Sequence, residues 1–282
     1  MSLQGIILEG ICSSITGLKN KYMRNFSPTS YVTEVIPCEH STNMDVEQKV
    51  LDKLNLFAQN NPIYQKEIEI IVDGTKCKSY QGDINNYWLS SKKYDTCYQP
   101  FYPTWILSAY ALAFLSKQLG YTELVDVGSG DGRIAYCSTL VGLKPFSLEI
   151  DTELSLLQQN VVSSTGVDFK ILNVDATSFD YNSLDLSCPV FFISGLPELG
   201  DMLARDVITK TRNLPNAKGA LGFNFMGTHV MRRYTADKTL WGWGNIIKDF
   251  ELNIIGCVTL PTLWTNDQDL DTAYIFAQKA RM

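Results

Sequence analysis

The sequence predicts an α/β fold built on a mostly parallel seven-stranded sheet. Three observations predict it. From about residue 100 onward, short apolar runs alternate with helical stretches, the rhythm of strand–helix–strand crossovers. One junction in that series, Leu124 to Ile134, carries a glycine-rich turn between an apolar strand and a helix. The last two apolar runs have only a polar loop between them, so they pair antiparallel and end the sheet on an antiparallel strand.

The elements follow in chain order. Residues 1–95 are rich in Asn, Ser, Tyr and Lys and read as a small N-terminal accessory region, with the α/β domain over 96–282. In the accessory region, Val46, Val50, Leu51, Leu54 and Phe57 fall at helical spacing over Asp45–Gln59, with Thr42 and Asn43 upstream as capping candidates. Lys66–Val72, Asp73-Gly74 and Thr75–Tyr80 read as a hairpin, because Asp-Gly supplies the positive φ angles of a tight turn. Pro100 and Pro103 punctuate the chain before an Ala-rich helix over Thr104–Leu119 that stops at Gly120. Strands are expected at Glu123–Val127, Pro145–Glu149, Phe169–Val174, Pro189–Ser194 and Ala220–Phe225, then at Leu252–Leu260 and Thr272–Gln278.

Composition narrows the function classes. With 45% hydrophobic and 19% charged residues in 282, the chain has material for a large core and lacks the signature of disorder. A net charge of −6 and a pI near 5.0 argue against extensive nucleic-acid binding, Arg232-Arg233 being the one notable basic pair. The longest strongly apolar run, Ile106–Leu115, is about half of what a bilayer requires, so no membrane association is expected. The N-terminus lacks the basic flank and apolar core of a secretory signal. Seven scattered cysteines fit a reducing, cytoplasmic setting. Two histidines and no CxxC pair give no metal site.

The chemistry sits in LVDVGSGDGRI, where Gly128, Gly130 and Gly132 alternate after Asp126 and a helix begins near Arg133. Glycine allows the sharp turn and lets a ligand approach the backbone, and amides at the helix start are expected to form a polar cradle. An acid at the end of the following strand suits ribose hydroxyls, and FSLEID supplies Glu149, with Asp151 just beyond. Dinucleotide folds space their glycines as GxGxxG; here position 133 is Arg and the third glycine comes one residue early. Asp126, two residues before the first glycine, suits a ligand that carries an ammonium group and suits a pyrophosphate badly.

This segment resembles motif I of the class I S-adenosylmethionine-dependent methyltransferases, whose fold is Rossmann-like, and FSLEID resembles their motif II. The resemblance runs over about residues 98 to 282. In that superfamily an acid after the third strand lies near the adenine, which ILNVDA matches with Asp175 and Ala176. The fourth strand ends at the methyl-transfer site, here FFISGLPE, Phe191 to Glu198. The antiparallel ending also matches. DVGSGDGRI followed by EID, with Phe101-Tyr102-Pro103-Thr104 ahead of it, is similar to archaeal protein-lysine methyltransferases and to histone-lysine methyltransferases without a SET domain. The resemblance implies a methyl-acceptor substrate, a protein lysine or a small molecule. The Pro-Pro-aromatic pattern of base-amine methylation is missing after Ser194.

The resemblance implies S-adenosylmethionine contacts from Asp126, Gly128, Ser129, Gly130, Gly132, Glu149, Asp175, Ala176, Ser194 and Thr104. Ser194, Glu198 and His229 are the candidates for acceptor chemistry, because they follow the fourth and fifth strands; a base is optional when orientation lowers the barrier. Each residue also has a plainer reading. Glu149 reads as a helix-capping acid, Asp175 as a helix start, Thr104 as the N-cap of its helix and His229 as a local hydrogen-bonding residue. Trp241 and Trp243 either line an acceptor pocket or pack a loop over the core. Tyr80, Tyr87, Trp88, Tyr94 and Tyr98 form a substrate wall or staple the accessory region to the core. Small-molecule methylation and a catalytically silent cofactor binder stand as alternatives to lysine methylation.

Overall fold

The computed structural model describes residues 3–26, 32–41, 44–83, 103–193, 197–214, 219–226, 242–261 and 271–279. The accessory region opens with a helix that the sequence reading did not anticipate, α1 (Leu3–Asn25), followed by an equally unanticipated strand, β1 (Val32–Pro37). Ile11, Ile15, Leu18 and Tyr22 fall on one face of α1 and are buried. Helix α2 (Gln48–Asn60) buries the expected Val50, Leu51, Leu54 and Phe57. Thr42 and Asn43 lie outside the described residues. Strands β2 (Lys66–Val72) and β3 (Thr75–Gly82) form the hairpin, with φ of 48° at Asp73 and 80° at Gly74. They complete a three-stranded antiparallel sheet of order β1-β3-β2.

The α/β part runs α3 (Ile106–Gln118), β4 (Glu123–Val127), α4 (Arg133–Leu140), β5 (Lys144–Glu149), α5 (Thr152–Thr165) and β6 (Lys170–Asn173). It continues with β7 (Pro189–Ile193), α6 (Pro197–Thr211), β8 (Gly222–Met226), α7 (Gly242–Asp249), β9 (Leu252–Pro261) and β10 (Asp271–Lys279). These strands form a seven-stranded sheet of order β6-β5-β4-β7-β8-β10-β9. Neighbours from β6 to β8 are parallel; β10 lies antiparallel to both β8 and β9.

The central strands β4, β5, β7 and β8 are covered on both faces, which is why they read as continuous apolar runs, whereas β9 alternates exposed and more buried residues. Leu124, Val190, Phe192, Tyr274 and Phe276 point into a core shared with α3, α4 and α5. Their neighbours Val125, Val127, Phe191, Phe223, Phe225 and Ile275 point the other way, toward α6 and α7. The first core continues without a break into α1, α2 and the three-stranded sheet. Helix α1 lies against β9 and α3, and Lys19 on it pairs with Asp271 at 2.7 Å. Among the described residues no helix is long and apolar enough to cross a membrane.

Candidate cofactor site at the reversal of strand order

From β4 the chain builds outward through β5 to β6, then returns to add β7 and β8 on the other side of β4. Helices α4 and α6, which follow β4 and β7, lie on opposite faces of the sheet, and in sheets of this kind ligands bind outside the carboxyl ends of such strands. The loop Gly128–Gly132 follows β4 at that point. Its three glycines have φ of 69°, 59° and 78°, in the left-handed region that glycine tolerates best. Their roles differ. A Cβ on Gly132 would lie 2.9 Å from Phe169 and 3.0 Å from Gln158, so this glycine serves packing. A Cβ on Gly128 would meet nothing within 4 Å, so its side of the loop is open.

Four amides of the glycine loop, those of Gly128, Ser129, Gly130 and Gly132, are already engaged. Gly128 N–H and Ser129 N–H donate to Leu148 O at 2.9 and 3.1 Å, and Gly132 N–H donates to Ser129 O at 2.9 Å. Gly130 N–H donates to Glu149 Oε2 at 2.7 Å. A turn this tight satisfies its own donors, because buried amides left unpaired are costly. Ser129 also turns inward: its hydroxyl lies 2.6 Å from Ser147 Oγ and accepts from Gln158 Nε2 at 2.9 Å. The loop offers shape and open space, and the polar contacts fall to carboxylates.

Asp126 is the exceptional one. It is 1% exposed, and neither carboxylate oxygen completes a hydrogen bond. Burial pushes its pKa well up, the neighbouring Glu149 and Asp131 push it further, and the Ala135 amide offsets only a little. A buried carboxylate without partners is costly, and a cationic ligand group would supply the missing partner. In the same cross-strand row, beyond Phe192, lies Asn224, also buried and with Nδ2 unpaired.

Glu149 is buried at the end of β5, with Oε2 on Gly130 N–H and Oε1 accepting from Asp151 N–H at 2.9 Å. Burial raises its pKa to about 7, the Asp151 charge adding to the rise and backbone donors from Asp151, Gly130 and Ile150 opposing it. It does not cap α5. Asp151 does, its Oδ1 accepting from Glu153 N–H and Leu154 N–H. Asp175 starts no helix; Oδ1 takes Thr177 N–H at 2.8 Å and the Thr177 hydroxyl at 2.7 Å, forming a side-chain-closed turn. The carbonyl of the adjacent Ala176 accepts from Tyr181 OH at 3.0 Å.

Thr104 is not an N-cap. Helix α3 begins after Trp105, and its first amide, on Ile106, donates to Glu34 Oε2 at 2.9 Å. Thr104 Oγ1 lies 3.1 Å from Tyr274 OH, and its carbonyl accepts from Arg133 Nη1. Trp243 packs the core, stacked on Phe225 with its Nε1 donating to Met226 O at 2.9 Å. Tyr80 is buried and donates to Asn55 Oδ1 at 2.9 Å, a bond within the accessory region. Ser194, His229, Trp241, Phe101, Tyr102, Tyr87, Trp88, Tyr94 and Tyr98 lie outside the described residues, as does Arg232-Arg233. Glu198 falls in the first turn of α6.

A seven-stranded sheet reversing at β4, a GxGxG loop after that strand, an acid ending the next and one antiparallel strand inserted next to the far edge occur here together. The chain has the class I methyltransferase fold. No family model matches the sequence, and no curated protein matches it. Solved structures similar to it include a ribosomal protein L11 methylase from Lactobacillus delbrueckii subsp. bulgaricus, 15% identical over 61% of this chain and 77% of that one, TM-score 0.42. A magnesium protoporphyrin IX methyltransferase from Synechocystis PCC 6803, with SAH bound, is 14% identical over 62% and 81%, TM-score 0.42. A precorrin-6y C5,15-methyltransferase from Geobacter metallireducens is 10% identical over 67% and 92%, also at TM-score 0.42.

Proposed function

We propose that the chain is an S-adenosylmethionine-dependent methyltransferase whose acceptor is a protein lysine. The observation that carries the methyl-donor reading is Asp126, a buried carboxylate without a counter-charge or a completed hydrogen bond, two residues before a glycine with open space around it. A pyrophosphate brought to that carboxylate would be repelled, whereas the ammonium of an amino-acid tail would pair with it. Glu149, ending the adjacent strand, has lone pairs left to accept from ribose hydroxyls. Asp175 and Ala176 follow the next strand, where an adenine would lie in this arrangement.

When bound, the donor supplies an electrophilic methyl group on a sulfonium centre. The protein's share is orientation: Asp126 would hold the amino-acid tail and Glu149 the ribose, and the glycine loop would let the ligand approach. Positioning of this kind supplies roughly 7–11 kcal/mol of barrier lowering in favourable cases. A lysine acceptor must be neutral to attack, so its proton has to leave first. Ser194, Glu198 and His229, which follow β7 and β8 in the sequence, are the proposed groups for acceptor orientation and proton removal.

The lysine assignment is supported by the likeness of DVGSGDGRI…EID to lysine-methylating enzymes. Incubation with labelled methyl donor and separated protein and metabolite fractions tests it. Label on protein lysines is expected. Label confined to small molecules would replace the lysine acceptor, and transfer to no fraction would leave a silent binder.

A further inference from the structure

Arg133 is 3% exposed, and each of its five N–H donors has a partner. Nε donates to Asp131 Oδ1 at 2.9 Å, and Nη2 to Asp131 Oδ2 at 2.5 Å and Tyr64 OH at 3.1 Å. Nη1 donates to Glu34 Oε1 at 2.6 Å and to the Thr104 carbonyl. The partners are themselves tied together. Tyr64 OH donates to Glu34 Oε1 at 2.8 Å, Asn61 Nδ2 donates to Asp131 Oδ2 at 2.7 Å, and Ile106 N–H donates to Glu34 Oε2. The guanidinium also lies over the Phe57 ring, 5.7 Å from its centroid.

One cation between two carboxylates, all buried, is an expensive way to join two parts of a protein, since apolar packing commonly does so at least as well. Its location gives it a use. Asp131 stands between Gly130 and Gly132, both at positive φ, so clamping Asp131 fixes the backbone on either side of it. Gly130 in turn delivers its N–H to Glu149. Thr104, held through its carbonyl, is fixed in the same network. Three of the clamping groups, Glu34, Asn61 and Tyr64, come from the accessory region.

We propose that Glu34, Asn61 and Tyr64 are positioning residues of the donor site: acting through Arg133 and Asp131, the accessory region sets the shape of the Gly128–Gly132 loop and the place of Thr104. The proposal rests on the methyl-donor reading. It gives residues 1–95 a part in cofactor affinity.

Calorimetric titration of the full chain with S-adenosylhomocysteine tests it, using Tyr64→Phe and Glu34→Gln. Tyr64→Phe removes one hydroxyl that bonds both Glu34 and Arg133. Glu34→Gln sets an amide donor against the existing donors. Both should raise Kd roughly tenfold or more with the number of sites per chain unchanged, the mark of a mispositioned site. Tyr80→Phe, which loses a hydroxyl bond in the same region without touching Arg133, should lower thermal stability and leave Kd alone. A purely structural network would instead reduce the number of competent sites at constant Kd. Wild-type Kd in folded Tyr64→Phe overturns the proposal even if Glu34→Gln fails to fold. No binding by the wild-type chain would overturn the methyl-donor reading, and this proposal with it.

Discussion

If Glu149 receives the ribose hydroxyls, donor affinity must depend on pH in a way that the structure sets. Burial holds its pKa near 7 in the ligand-free fold. Hydrogen bonds to a charged group contribute about 1.5–3 kcal/mol each, so even shared with the existing Gly130 and Asp151 donors, two hydroxyls lower the bound pKa by roughly 2 units, to about 5. Binding then favours the ionised form. Kd for S-adenosylhomocysteine should be about 50-fold higher at pH 5 than at pH 8, with about 0.8 proton released per ligand at pH 6. Calorimetry in two buffers of different ionisation enthalpy measures both quantities. Glu149→Gln should bind more weakly at pH 8 and lose that released proton. The same shift acts on stability with a definite sign. The folded chain keeps a proton that the unfolded chain has already lost, so Glu149 favours folding at low pH. That contribution, about 3 kcal/mol, disappears as pH rises from about 4.5 through 7. A flat Kd between pH 5 and 8, with no buffer-dependent heat, would refute the assignment of Glu149 to the ribose.

Four substitutions extend the account. Asp126→Asn removes an unpaired buried charge, so the ligand-free protein should gain about 1 kcal/mol, a rise in Tm of roughly 2–4 °C, while S-adenosylhomocysteine affinity falls at least about tenfold; lower stability with unchanged affinity would contradict the role given to Asp126. Gly132→Ala should cost about 3 kcal/mol in urea unfolding, from the left-handed backbone and from displacement of Phe169 and Gln158. Gly128→Ala, with open space around it, should cost only about 1–2 kcal/mol yet weaken cofactor binding, and equal stability losses at the two glycines would count against the distinction. Arg133→Met leaves Glu34 and Asp131 without their counter-charge and should destabilise by about 3–5 kcal/mol, which a chemical denaturation curve reads directly.

The sheet was legible because its central strands are buried on both faces. Their apolar runs are continuous and end at glycine or acid, and the expected boundaries fall within about two residues of the observed ones. The Asp73-Gly74 hairpin was legible for the local reason that the dipeptide dictates the turn. Helix α1 escaped because Gly10, Ser13, Ser14, Gly17 and Asn20 dilute its apolar stripe with poor helix formers. Strand β1 escaped because its partner in β3 lies far along the chain, with Val32 opposite Gly82, and no turn signal links them. Asp126 and Glu149 were readable from their offsets to the glycines. Glycine spacing reports the turn and not where its N–H groups go, so the engagement of the Gly128, Ser129, Gly130 and Gly132 amides was not legible. The Arg133 network joins Glu34 to a residue 99 positions later, beyond any local pattern. The available hint was a charged side chain at the first turn of a helix that is otherwise apolar on that side, a group that must find partners wherever it is buried.

The proposed site rests on Asp126 pairing with a cationic ligand group, so the most direct measurement is a paired titration of the wild-type chain with S-adenosylhomocysteine and with NAD. The account predicts one molecule of S-adenosylhomocysteine bound per chain and no heat from NAD at the same concentrations. Saturable NAD binding with no response to S-adenosylhomocysteine would contradict it.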